Sequence, residues 1–213
     1  MKGIFITLEG IDGTGKSTQA RLLAERLNLL GYSVITTKEP GGTEIGSQIS
    51  KILLSRENSL LCPKAEMFLF AADRAQHVQE LIKPELEKGK VVISSRYIDS
   101  TLAYQCWGHG LPLEEVESLM MLATEKIMPD LTIILDLDPE IAFKRVKGDR
   151  LESEGLALLF RVRQGYLALA ARHPERIKVV KANGKPEEVL ERIWHWVLYL
   201  IQKHPALGKE VKS

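Results

Sequence analysis

The sequence predicts an α/β three-layer sandwich, a five-stranded parallel sheet with helices on both faces. Three observations predict it. Short β-type runs alternate with helical patterns along the whole chain, as parallel strands joined by helical crossovers require. The first run, Gly3-Ile4-Phe5-Ile6-Thr7-Leu8, leads into Gly10-Ile11-Asp12-Gly13-Thr14-Gly15-Lys16-Ser17, which fits the P-loop pattern G-x-x-x-x-G-K-[S/T]. That motif opens a helical pattern from Gln19 to Leu30, so it stands in the strand–loop–helix setting that defines a P-loop NTPase.

In order, the strands are read at about residues 3–9, 32–37, 91–95, 131–136 and 177–181. The first helix runs over about 16–30, with Gly31 as the left-handed residue that closes it. Glu39-Pro40-Gly41-Gly42-Thr43 is a loop, punctuated by Pro and two glycines. Helices are expected over about 44–54 and 64–88, the second with Pro84 kinking its last turn. Residues 96–110 mix loop and helix, and Pro112 starts a helix that ends before Pro129. Pro139 starts another, followed by a charged break at about 147–155 and helices over about 156–172 and 186–203. Ligands gather at the carboxyl ends of parallel strands. The site is therefore expected from the P-loop and residues 37–43, 95–105 and 136–155.

In the P-loop, glycines let backbone N–H groups converge on phosphate oxygens, and the new helix points its positive end at them. Residues Gly10, Ile11, Asp12, Gly13, Thr14, Gly15, Lys16, Ser17 and Thr18 are the expected nucleotide cradle. Lys16 would reach the β- and γ-phosphates, and the Ser17 hydroxyl would ligate Mg²⁺.

The chain has 213 residues and a net charge of +1, which suits a single domain and gives no argument for a nucleic-acid or membrane partner. No apolar run approaches spanning length, and the first strand leaves no room for a signal peptide. The two cysteines, Cys62 and Cys106, lack metal-ligand spacing and suit a reducing, cytoplasmic setting. No Asn-Lys-x-Asp base-reading motif argues for a GTPase, and no transporter signature is present.

Six blocks narrow the class. They are Leu8 to Thr18, Lys38-Glu39-Pro40-Gly41-Gly42-Thr43, Leu69-Phe70-Ala71-Ala72-Asp73-Arg74, Arg96-Tyr97-Ile98-Asp99-Ser100-Thr101-Leu102-Ala103-Tyr104-Gln105, Asp149-Arg150-Leu151-Glu152 and Arg161-Val162-Arg163-Gln164-Gly165-Tyr166. In this order, from about residue 3 to 195, the chain resembles the thymidylate kinases, which phosphorylate dTMP with ATP for dTTP synthesis. The resemblance implies a Mg²⁺-dependent homodimer, with ATP and dTMP as its small-molecule partners. It implies that Phe70 stacks on thymine and that Arg74, one turn on, donates to a thymine carbonyl. Taken alone, that pair reads more readily as a core ring and a surface cation. It further implies that Asp12 accepts from the sugar 3′-OH, that Arg96 holds the acceptor phosphate, and that Tyr104 excludes a ribose hydroxyl. Gln105 would lie near the base, Ser100 would join the substrate contacts, and the Glu39-Pro40-Gly41 loop would close over the substrate phosphate.

Residues 144–155 resemble the family's lid. One branch carries an arginine in the P-loop where this chain has Gly13, so the lid must supply the cation, with Arg150 first, then Lys147 and Arg145. Two positions depart from the pattern. Ser95 replaces the usual Asp, so Glu9 is expected to serve the metal through water. Lys38 stands where many members have Arg, losing the bidentate fork. The apolar faces of 64–82 and 113–127 could form the dimer contact or belong to the core. The open alternatives are a kinase for another pyrimidine monophosphate, and a non-catalytic nucleotide-binding module.

Overall fold

The computed structural model describes residues 3–145 and 155–203. Strands β1 (Ile4–Glu9), β2 (Val34–Lys38), β3 (Val91–Ser95), β4 (Leu131–Asp136) and β5 (Ile177–Lys181) form one parallel sheet in the order β2-β3-β1-β4-β5. Central β1 pairs with β3 from Ile4↔Val91 to Leu8↔Ser95, and with β4 from Ile6↔Leu131 to Glu9↔Ile134. Every residue of β1 and β3 is buried, because strands covered on both faces need apolar side chains at successive positions. Thr7 and Thr132 are polar exceptions, and their hydroxyls satisfy each other across the β1–β4 pair at 2.8 Å. The edge strands tolerate exposed Thr36, Lys38 and Lys181.

The helices are α1 (Lys16–Leu29), α2 (Glu44–Leu54), α3 (Pro63–His77), α4 (Lys83–Glu87), α5 (Ile98–Thr101), α6 (Leu113–Ala123), α7 (Pro139–Phe143), α8 (Leu156–Arg172) and α9 (Pro186–Lys203). α1 and α9 pack together and on the sheet, while α8 covers β4 and β5. Leu23 and Leu27 of α1 and Ile193 and Val197 of α9 are completely buried between the layers. Gly31 does close α1, at φ 86°. Its N–H bonds to Asn28 O and that of Tyr32 to Leu27 O, the paired bonds of a Schellman cap.

Two boundaries differ from expectation. The helix read as 64–88 contains wide π-type turns at Val78–Ile82 before α4 resumes. Pro84 has no N–H, and its ring crowds the carbonyl one turn earlier, so the distortion falls ahead of it rather than in the last turn. The helix expected to approach Pro129 stops at Ala123, closed by Glu125 and Lys126 at φ 49° and 61°. No glycine marks that turn, so its sequence carries no stop signal.

Because all strands are parallel, the loops after Glu9, Lys38, Ser95 and Asp136 emerge along one edge of the sheet.

Candidate active site

The loops after Glu9, Lys38 and Ser95 enclose, with α2 and α3, a cavity of about 220 Å³, and no described residue of the expected 136–155 stretch is among its lining residues. It is lined by Asp12, Lys16 and Ser17 of the P-loop, Glu39 and Pro40, Phe70 and Arg74 of α3, and Arg96, Ser100 and Tyr104 after β3. These ten expected residues are thus brought together. Lys38 and Ser95, the two departures, also line it, as does Thr101 from the expected 95–105 stretch. Ser50 and Leu54 of α2 line it too, and the sequence reading missed them. Ser50 and Leu54 sit at i, i+4 on α2, but nothing local says that this face turns toward α3.

The P-loop turns through Gly10, Gly13 and Gly15 at positive φ. Lys16 Nζ curls back over it, donating to Gly10 O and Ile11 O at 2.9 Å each. Burial lowers the Lys16 ammonium to about 8, with Arg96 adding to the effect, so it stays mostly charged at neutral pH. Thr14 donates to Ile11 O and braces the turn. Ser17 and Thr18 remain exposed on the first turn of α1.

Gly13 is fixed by contact as well as by conformation. At φ 82°, a Cβ there would lie 2.3 Å from Ala142 O on α7, so no side chain fits without moving α7. Gly13→Ala is expected to strain the loop by about 2 kcal/mol, lowering Tm by about 4–8 °C and weakening ATP binding. Thermal unfolding and ATP titration check this, and wild-type values for both would reject it. Arg145, a described lid cation, reaches Gly13 O at 3.4 Å. Lys147 and Arg150 lie outside the described residues.

Arg96 occupies the left-handed region at φ 74°, a costly conformation for a non-glycine residue. Its N–H bonds to Leu8 O, and Ser94 Oγ donates to its carbonyl, which holds the turn. The guanidinium pairs with Asp12 Oδ1 at 2.6 Å and donates to Ser100 Oγ at 2.9 Å. It also lies 5.1 Å over the Tyr104 ring, whose hydroxyl donates to Asp12 Oδ2. Burial pushes the Asp12 carboxyl up, but Arg96 and Lys16 outweigh it and hold it well below the usual carboxylate range.

Several expected substrate contacts are turned into the protein. Arg74 Nε and Nη2 bond Glu39 Oε2 at 2.8 and 2.7 Å, Nη1 reaches Thr101 Oγ1, and Nη2 also donates to Tyr97 O. Its donors are occupied by protein acceptors rather than left free for a base. Glu39 Oε1 pairs with His77 Nδ1 at 2.9 Å. Burial raises this carboxyl, yet Arg74 and His77 bring it below its ordinary value. Gly41 N–H donates to Asp73 Oδ1. The 39–41 loop is therefore tied to α3 by buried charge, while Glu39 and Pro40 are its part of the cavity lining. Gln105 is wholly buried and donates to Glu66 at 2.6 Å, away from the cavity lining. Phe70 is half-buried on the cavity wall, the placement a stacking ring needs.

Glu9 also departs from expectation. Its oxygens accept from Tyr97 N at 2.7 Å and from Ser100 Oγ, and it is absent from the cavity lining. Burial first, then Asp99, raise its carboxyl to about 7. Asp136, at the end of β4, takes both oxygens to Arg163 at 2.6 and 3.0 Å. That bidentate pairing explains why a Walker-B-like strand leaves no free carboxylate here. Tyr166, to which the sequence reading gave no role, places its hydroxyl 2.8 Å from Ser100 Oγ and 3.3 Å from Arg96 Nη1.

The family model for thymidylate kinase matches residues 8–193. The chain is 49% identical over 200 residues to a thymidylate kinase of Syntrophotalea carbinolica, covering 89% of this chain and 93% of that one. It is 50% identical over 192 residues to a thymidylate kinase of Synechococcus sp. strain JA-3-3Ab, covering 90% and 93%. The crystal structure of thymidylate kinase from Ehrlichia chaffeensis superposes with a TM-score of 0.79 at 32% identity, covering 92% of this chain and all of that one.

Proposed function

The chain belongs to the thymidylate kinase family, and from that premise we propose how its residues divide the work. It transfers the γ-phosphoryl group of ATP to dTMP, giving dTDP and ADP. The acceptor phosphate is already anionic, so no general base is needed, and catalysis consists of alignment and charge neutralisation. Lys16 and the P-loop amides hold the donor phosphates. Arg96 holds the acceptor phosphate, and Asp12 and Tyr104 receive the deoxyribose. Phe70 stacks on thymine, while Arg74 fixes the wall around it and the loop through Pro40. Arg150 of the lid supplies the cation that Gly13 lacks.

Ser17, exposed on the cavity, would ligate Mg²⁺. A lone hydroxyl among phosphate oxygens fits an ion that keeps much of its own water. Glu9 does not fit as a ligand, since protein donors take its oxygens. When bound, the ion neutralises charge on the β- and γ-phosphates.

One observation carries this reading. Arg96 and Asp12 meet at 2.6 Å, which sets an acceptor-side cation against the donor loop within one cavity. An acceptor screen with ATP tests it, comparing dTMP, dUMP, dCMP and UMP by kcat/KM. dTMP is expected to rank first. Another acceptor in first place, or ADP release without any monophosphate, would sink the assignment.

Homodimer formation is supported by exposed apolar side chains on α2, α3 and α6, where Ile52, Phe68 and Leu122 are 46%, 52% and 77% exposed. A cytoplasmic setting accords with two unpaired cysteines. No described helix is long and apolar enough to cross a membrane.

A further inference from the structure

We infer that Tyr166 is a positioning residue for the acceptor phosphate, acting through the Arg96 guanidinium. The inference rests on the role of Arg96 proposed above. A long arginine side chain loses much rotamer freedom when it is fixed, and this one starts from a left-handed backbone. A fixed guanidinium therefore needs holding on more than one edge. Asp12 takes Nη2 at 2.6 Å. On the other edge, Nη1 donates to Ser100 Oγ at 2.9 Å and Tyr166 Oη at 3.3 Å.

The proton count makes Tyr166 an acceptor for Arg96. Ser100 spends its single proton on Glu9 Oε2. The Tyr166 hydroxyl, 2.8 Å from Ser100 Oγ and 3.4 Å from Glu9 Oε2, donates in that direction. Its lone pair is then left facing Nη1. Burial first, then Glu9, push this phenol well above its ordinary value, so it stays protonated at neutral pH.

The hydroxyl also arrives on a rigid support. A Cβ on the adjacent Gly165 would lie 2.9 Å from Trp107 Cβ, so α8 packs directly on the 102–108 stretch. Arg161 Nε donates to Gly108 O at 3.1 Å, and Arg163 grips Asp136. Helix α8 thus cannot slide without breaking both, and Tyr166 transmits that fixed position to Arg96.

A double-mutant cycle separates this from a merely buried tyrosine. Tyr166→Phe keeps the ring and removes the oxygen. It is expected to lower kcat/KM for dTMP about tenfold, the scale of a hydrogen bond to a charged group. KM for ATP and Tm should stay close to wild type. In an Arg96→Lys background the same change should cost less than twofold, since the ammonium has no second nitrogen to orient. An equal loss in both backgrounds, parallel rises in both KM values, no loss at all, or failure of Tyr166→Phe to fold each overturns the inference. Wild-type protein that releases no ADP in response to dTMP would instead remove the kinase reading itself.

Discussion

Arg96→Met is expected to lower kcat for dTMP phosphorylation by about 10³-fold while changing KM for ATP little. Charge spreads over the transferring group and the acceptor oxygens, and a preorganised cation there acts mainly in the transition state. Methionine retains much of the side-chain volume beside the Tyr104 ring and meets the same backbone strain at φ 74°, so the comparison isolates charge. The substitution also removes the main cation beside Asp12, leaving Lys16 at 3.6 Å. The Asp12 carboxyl, held down chiefly by Arg96 against its burial, then rises toward its ordinary value. Single-turnover kinetics with saturating ATP measure the effect. A rate within tenfold of wild type would mean that the acceptor phosphate is held elsewhere.

Arg74→Met should be the most destabilising of these changes. Arg74 and Glu39 are each 1% exposed at the side chain. Removing one partner of a buried pair typically costs about 3–5 kcal/mol, because the other is left as an uncompensated charge. In a chain of this size that corresponds to roughly a 10 °C fall in Tm. Glu39 would keep His77, but the 39–41 loop would lose its anchor, so KM for dTMP should rise about tenfold or more. Adding Glu39→Gln should restore part of the lost Tm, since the stranded charge disappears. Thermal unfolding of the wild type and these two variants decides the matter. A double variant less stable than Arg74→Met would show that the cost is packing rather than charge.

The motif blocks made most cavity-lining residues legible in advance, although their partners were hidden. Phe70, Arg96 and Tyr104 fall on the cavity because their spacing within known elements sets their direction. Arg74 also falls there, but one helical turn after Phe70 says nothing about what its guanidinium meets. Glu39 was read as part of a closing loop, yet it faces α3. Glu9 was read as a metal group, yet it caps the turn at Tyr97 and Ser100. In each case a charged side chain entered the interior, where it must find an opposite charge or several donors. Those donors come from other elements. The missed wall residues, Ser50 and Leu54, belong to a helix with no motif of its own.

The sequence by itself determined the strand–helix alternation, the phosphate loop and the family, because each is written in local spacing. Periodicity, glycine positions and proline punctuation act over a few residues. Only the tertiary structure decided how the site is held together. Arg74 meets Glu39 across 35 residues, Gln105 meets Glu66 across 39, and Ser100 meets Glu9 across 91. The pairing of buried charges depends on which elements pack side by side, and that is a property of the assembled sheet rather than of any one segment.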